Sequence, residues 1–184
     1  MVLTKTPICN FGEKANSFKL KGTDGKINNL EDHLGKNGLL IMFICNHCPY
    51  VKAVIKDIVS DCKELENDGI KSVAIMSNDT KNYPDDSFEN MISFSKNINF
   101  NFHFLIDETQ NIAKKYGAVC TPDFFGYNEK LELQYRGIIR ELKDLKPLRN
   151  GESDLLLAMK KIAKTQKGPS DQVPSMGCNI KWFN

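Results

Sequence analysis

The run Leu39–Ile44 (LLIMFI) constrains this chain more than any other stretch. Six consecutive apolar residues are too few for a helix of their own, and they fit a strand buried on both faces. Such strands belong to sheets covered by helices on both sides. Cys45-Asn46-His47-Cys48 follows at once, and then Pro49. Proline favours the first position of a helix, where its missing N–H costs nothing. Beyond it Val51, Val54, Ile55, Ile58, Cys62 and Leu65 recur at helical spacing, with lysines and acids between them. The spacing predicts a helix from about Pro49 to Asn67, closed by Asp68-Gly69. Cys48 therefore falls where a buried strand becomes an amphipathic helix.

That position changes the chemistry of a thiol. The first N–H groups of a helix have no intrahelical partners and form the positive end of its dipole. They stabilise a thiolate, which is the nucleophilic form of cysteine. His47 stands next to it and is expected to tune it further. Exposure of Cys48 at the end of the sheet is expected to make it the most reactive thiol of the chain.

Six cysteines (Cys9, Cys45, Cys48, Cys62, Cys120 and Cys178) would suit a disulfide framework in a secreted protein. Here most are scattered singly, and the N-terminal MVLTKTPICNFGEK lacks an apolar core of signal-peptide length. The expectation is a cytoplasmic protein with reduced thiols. With 25 basic and 23 acidic side chains and no long block of one sign, nothing favours nucleic acid or a membrane surface as partner. The chain of 184 residues fits a single domain.

Residues 1–17 are polar and aperiodic and read as a loosely packed lead-in. Phe18–Lys21 and Lys26-Ile27 flank Gly22-Thr23-Asp24-Gly25, a hairpin pattern. Leu30–Leu34 suits one helical turn. After the long helix come a strand over Ile70–Met76, a polar loop through Asp86, a helix over Ser87–Ile98 and a strand over Phe102–Ile106. Then follow a helix over Glu108–Tyr116 and a hairpin of Phe124–Tyr127 with Leu131–Tyr135. The last helix spans Ser153–Thr165, and residues 167–184 read as a coil-like tail. Strands alternating with helices imply parallel pairing, and the hairpins add antiparallel strands. The fold class is α/β, a mixed central sheet with helices on both faces and an N-terminal β-hairpin extension.

Several motifs carry a resemblance. They are Asn46-His47-Cys48-Pro49-Tyr50-Val51, Asn78-Asp79 with Tyr83-Pro84-Asp85-Asp86, Asp107-Glu108-Thr109-Gln110, Tyr116-Gly117-Ala118, Cys120-Thr121-Pro122-Asp123-Phe124-Phe125, Tyr135-Arg136-Gly137 and Gly177-Cys178 with Ile180-Lys181-Trp182. Together they resemble the thioredoxin fold, in its peroxiredoxin-like branch of alkyl hydroperoxide reductase and thiol-specific antioxidant proteins. The resemblance covers nearly the whole chain. It implies that Cys48 takes the place of the attacking cysteine and Val51 that of the usual second one. Cys45-x-x-Cys48 has the right spacing one register earlier, so either Cys45 or Cys48 can be the attacking thiol. Pro49 fits the first helical position better than the fourth, which favours Cys48.

The resemblance further makes Thr121-Pro122 a cis-proline loop facing the thiol and pairing with an extended substrate. A peroxiredoxin would carry Thr or Ser where Cys45 stands, and an arginine near Cys120; Arg136 and Arg140 are the nearest substitutes. The expected activity is thiol–disulfide exchange. Cys48 attacks, Cys45 resolves (Cys120 and Cys178 less so), and Thr121, Pro122 and His47 bind the substrate. A protein or small-molecule disulfide and a thiol reductant are the expected partners. No cofactor is expected, and with no second Cys-x-x-Cys no metal either. A thiol peroxidase and a noncatalytic redox-regulated binding module are the alternatives. Cys62 suits the core, Cys9 looks incidental, and His33 and His103 look like surface or strand residues.

Overall fold

The computed structural model describes residues 3–183, so Met1, Val2 and Asn184 of the expected lead-in and tail lie outside it. In chain order the elements are β1 (Leu3–Lys5), β2 (Lys19–Gly22), β3 (Ile27–Asn29), β4 (Gly38–Phe43), α1 (Pro49–Asn67), β5 (Ile70–Met76) and α2 (Phe88–Ile98). There follow β6 (His103–Ile106), α3 (Asn111–Tyr116), β7 (Cys120–Thr121), β8 (Asp123–Asn128), β9 (Leu133–Tyr135), β10 (Leu142–Lys143), β11 (Lys146–Pro147), α4 (Asp154–Thr165) and β12 (Met176–Asn179). Short 3-10 turns span Leu30–His33 and Pro84–Asp86.

Strand β4 lies inside a seven-stranded sheet of order β3-β2-β6-β5-β4-β8-β9. It runs parallel to β5 and antiparallel to β8. The period of two in a strand divides its side chains between two cores. Leu40 and Met42 join Val54, Ile58, Leu65, Leu155 and Ile162 on the α1 and α4 side. Leu39, Ile41 and Phe43 join Ile112, Tyr116, Phe125 and Tyr127 on the α3 side. All six residues of the LLIMFI run are buried, because both faces of the sheet are covered.

Helix α1 begins and ends where its sequence predicts. Its buried stripe is Val51, Val54, Ile55, Ile58, Cys62 and Leu65. A buried aliphatic side chain contributes roughly 1.5–3 kcal/mol, so this stripe holds α1 against the sheet, while Pro49 marks its start. Asp61 is also buried on α1 and accepts from Ser153 Oγ at 2.5 Å. Ser153 caps α4 by accepting from Leu156 N, so one hydroxyl joins the two helices.

The ends of the chain depart from expectation. The lead-in is mostly exposed yet tied down by its backbone: β1 pairs with β12, and residues 12–15 lie along Leu131–Leu133 through Gly12 N–Leu133 O and Ala15 N–Leu131 O bonds. The tail is coil except at Met176–Asn179, where β12 stands between β1 and β7 in a second, three-stranded sheet. These strands are only two to four residues long, too short to leave an alternation to read. The predicted N-terminal hairpin forms as β2 and β3, and joins the main sheet by pairing with β6. Helix α3 starts at Asn111, because Gln110 adopts a left-handed conformation and interrupts it. The small β10–β11 hairpin has no counterpart among the predicted elements. Among the described residues no helix is long and apolar enough to cross a membrane.

Candidate active site

Strand β4 ends at Phe43, and Ile44 N still donates to Ile75 O beyond it. The chain then turns, Cys48 takes the N-cap position of α1, and Pro49 takes the first helical one. Opposite this turn lies the cis Thr121–Pro122 bond, at the junction of β7 and β8. Cys48 Sγ is 3.1 Å from Thr121 O, and Cys45 Sγ is 3.3 Å from Thr121 Oγ1. Cys178 reaches the same place from β12, with its Sγ 2.9 Å from Cys48 Sγ. None of the six cysteines is in a disulfide.

Cys48 is fully buried, contrary to the exposure expected at the end of the sheet. The contact that closes it off comes from Cys178, which lies 130 positions away in sequence and is invisible to local pattern. Burial alone would raise the pKa of a thiol. That of Cys48 is instead lowered to about 5, by hydrogen bonding from Cys45 first, against burial, and then from Cys178, Thr121 and Val51 N. The Val51 amide favours the charge without the alignment of a full cap bond. The Thr121 carbonyl opposes it, since a thiolate has no proton to give. Donors outnumber that carbonyl, and the thiolate prevails. The two neighbours move the other way. Cys45 is raised by its bond to Cys48 and then by burial, and Cys178 is pushed up to about 12 by burial and then by Cys48.

Sequence reasoning missed Asp86, which organises the turn. Its side chain is buried; Oδ1 accepts from Asn46 N at 2.8 Å and His47 N at 3.3 Å. Its Oδ2 lies 2.5 Å from His47 Nδ1 and accepts from Asn78 Nδ2 at 2.8 Å. Burial pushes the carboxyl up, but the His47 and Asn78 bonds outweigh it and hold Asp86 below the ordinary carboxylate value. Asp86 in turn raises His47. The imidazole is therefore committed to Asp86 and stacks on Tyr83, with ring centroids 6.0 Å apart. Asn78, Tyr83 and Asp86 all belong to the polar loop quoted in the sequence, which was the available signal.

Cys45, His47 and Asp86 present atoms within 4.8 Å of one another, a spacing that suits a metal ion. Both Asp86 oxygens are already occupied by N–H groups, so hydrogen bonding accounts for the cluster. Cys62 lies in the core, where burial pushes its thiol up to about 12. Cys120 is buried beside the loop and its thiol is also raised by burial, so neither suits attack. Cys9 is half-buried and raised to about 11 by burial. His33, expected at the surface or on a strand, is buried in a 3-10 turn.

A profile of the AhpC/TSA family matches residues 11–142, most of the chain. The protein belongs to the AhpC/TSA family. Crystal structures of similar proteins exist for an uncharacterized conserved protein of Geobacillus kaustophilus and a hypothetical protein of Sinorhizobium meliloti 1021. The first is 36% identical over 100% of this chain and 97% of its own, with a TM-score of 0.94. The second is 32% identical over 98% of each chain, with a TM-score of 0.90. A proposed protein disulfide isomerase of Bacteroides thetaiotaomicron shares the fold at 18% identity, over 89% and 95% of the two chains, with a TM-score of 0.63. No curated protein matches. The mixed sheet with helices on both faces is thus a thioredoxin-like fold, and membership of the AhpC/TSA family supports a thiol redox function.

The neighbourhood of Cys48 departs from the peroxidase pattern set out above. Cys45 stands three residues before Cys48, where that pattern has Thr or Ser. Arg136 gives its guanidinium to Asp123 Oδ1 and Oδ2, at 3.3 and 2.9 Å, and to Gly117 O. It also lies over the Phe125 ring. Arg140 lies against Asp57 and donates to Arg149 O and Gly151 O. Both arginines are held by partners elsewhere, so the substitution anticipated from sequence is not made.

Proposed function

We propose that this protein is a thiol–disulfide oxidoreductase and that Cys48 is its attacking thiolate. One observation carries this: a cysteine at the N-cap of α1, with its pKa near 5, set against Thr121 beside the cis proline. At neutral pH such a group is nearly all thiolate, whereas a thiol at the ordinary value of about 8.5 is only a few per cent ionised. The thiolate attacks one sulfur of a substrate disulfide. A bond forms between Cys48 and that sulfur, the substrate S–S bond breaks, and the second substrate sulfur leaves as thiolate. Asp86 supports this by fixing the backbone of Asn46 and His47 immediately before the reacting residue. Re-reduction falls to cellular thiols or a thioredoxin-like dithiol, in keeping with a reducing compartment.

A thiol peroxidase is the second reading, favoured by family membership. There Cys48 would become a sulfenic acid. Against it stand the two arginines held elsewhere and Cys45 in place of a hydroxyl. The test is turnover of a peptide disulfide and of hydrogen peroxide by purified protein, with Cys48→Ser as control. Disulfide turnover that disappears in Cys48→Ser is expected. Peroxide consumption with inert disulfides would transfer the assignment to the peroxidase.

A further inference from the structure

Strand β12 pairs with β7 in antiparallel register, Cys178 opposite Thr121 and Asn179 opposite Cys120. It therefore fills the edge of the cis-proline loop. Gly177 shows how closely it is seated. A Cβ built there would meet Thr121 O at 2.1 Å and Pro122 N at 3.2 Å, so this point of the seat admits no side chain. The flanking chain is held as well, by Ser175 Oγ donating to Pro122 O and Lys181 N donating to Asn78 Oδ1. The outcome is a cysteine on an extended strand, with its sulfur 2.9 Å from the attacking thiol. A substrate held in mixed disulfide at this loop would have the same arrangement.

We propose that β12 is an internal substrate: Cys178 resolves the mixed disulfide at Cys48, and an extended polypeptide bearing Gly-Cys takes the β12 seat when that strand lifts away. The proposal rests on Cys48 being the attacking thiol. Substrate and β12 compete for one edge, so the return of the strand both expels the substrate and delivers the resolver. Cys178 loses its proton and its sulfur attacks Cys48 Sγ. The Cys48–Cys178 bond forms, the bond from Cys48 to the substrate breaks, and the substrate thiolate takes up the proton. Two electrons pass from the Cys48–Cys178 dithiol to the substrate disulfide, and an external dithiol returns them by the same exchange.

The electrostatics time this step. The Cys178 thiol is held protonated by burial, and then by its bond to Cys48 and the negative charge there. Once Cys48 is in a mixed disulfide that charge is gone, and Cys178 ionises more easily. Cys45 stays in reserve as a hydrogen-bond donor, its sulfur beside Thr121 Oγ1. Close approach at Gly177 sets the selectivity, because a residue with a side chain before the cysteine meets the Thr121 carbonyl.

The experiment exposes full-length protein to a symmetrical disulfide of an extended Gly-Cys peptide and maps the products by mass spectrometry. Wild type and Cys45→Ser should yield the Cys48–Cys178 bridge. Cys178→Ser, which conserves shape, should retain the peptide on Cys48. Gly177→Ala should unseat β12 and speed adduct formation at Cys48 at least about tenfold. A peptide with Leu before its cysteine should react with wild type about tenfold more slowly. A Cys45–Cys48 bridge in wild type, or clearance of the adduct by Cys178→Ser at the wild-type rate, overturns the proposal and leaves Cys48 as nucleophile intact. Failure of Cys48 to take up peptide in both wild type and Gly177→Ala overturns the oxidoreductase assignment itself.

Discussion

Oxidation should stabilise this protein by an amount that identifies the partner of Cys48. Joining Cys48 to Cys178 closes a loop spanning 130 positions. In the chain-entropy picture such a crosslink removes freedom from the unfolded chain, worth about 5 kcal/mol at 25 °C. A Cys45–Cys48 bridge closes a loop of only a few residues, and the same relation gives about 2 kcal/mol. The difference is large beside the roughly 5–15 kcal/mol that holds a domain together. Urea unfolding of the reduced protein, of the protein oxidised by a peptide disulfide, and of both after Cys45→Ser or Cys178→Ser measures it. The gain should survive Cys45→Ser and vanish in Cys178→Ser. Oxidised wild type should also show a shallower denaturant slope, because its unfolded state is more compact. A gain near 2 kcal/mol that persists in Cys178→Ser would refute the long-range bridge.

Three further outcomes are expected. Asp86→Ala strips a buried acceptor from Asn46 N, His47 and Asn78, and should cost about 3–5 kcal/mol in denaturant unfolding. Asp86 is depressed, so its contribution is present above the unfolded carboxylate value of about 3.9 and lost as pH falls through the folded one. His47 is raised, so its contribution is full below about 6.5 and lost as pH rises through the folded value. The deficit of Asp86→Ala should therefore be largest between about pH 4 and 6.5 and shrink at alkaline pH; a deficit flat from pH 5 to 9 would count against the ion pair. In wild type, with β12 seated, the ultraviolet absorbance of the Cys48 thiolate should rise with pH to a half-maximum near 5 and then level off, with Cys62 un-ionised at neutral pH; absorbance that rises only at about pH 8 would mean an ordinary thiol. Arg136→Met leaves Asp123 buried without its partner and should cost about 3–5 kcal/mol by thermal or urea melt, with Asp123→Asn added to it restoring much of the loss.

The junction of β4 and α1 was legible because two periodicities meet there, an unbroken apolar run and a helical stripe, with Pro49 marking the boundary. Thr121 and Pro122 were legible through family resemblance, since nothing in their spacing alone places them against Cys48. Asp86 was quoted within a motif but given no role, because a carboxylate in a polar loop ordinarily belongs in water. The error over exposure at Cys48 has a related cause. Its cover is supplied by Met176–Asn179, a strand with one glycine and no alternation, whose pairing depends on backbone and on the missing side chain of Gly177. Sequence pattern reports which side chains seek burial, and a strand seated by its backbone leaves little trace in it.

Strand β12 is also the last of the elements to be synthesised. Synthesis runs from the N-terminus, so the central sheet and α1 have their sequence complete before Cys178 exists. During that interval Cys48 lacks the sulfur that stands 2.9 Å away in the complete protein. If Cys178 is the resolver proposed above, a growing chain that captured a disulfide on Cys48 would have no Cys178 to release it. When residues 176–179 pair between β1 and β7, one strand brings both a cover for Cys48 and the proposed resolver.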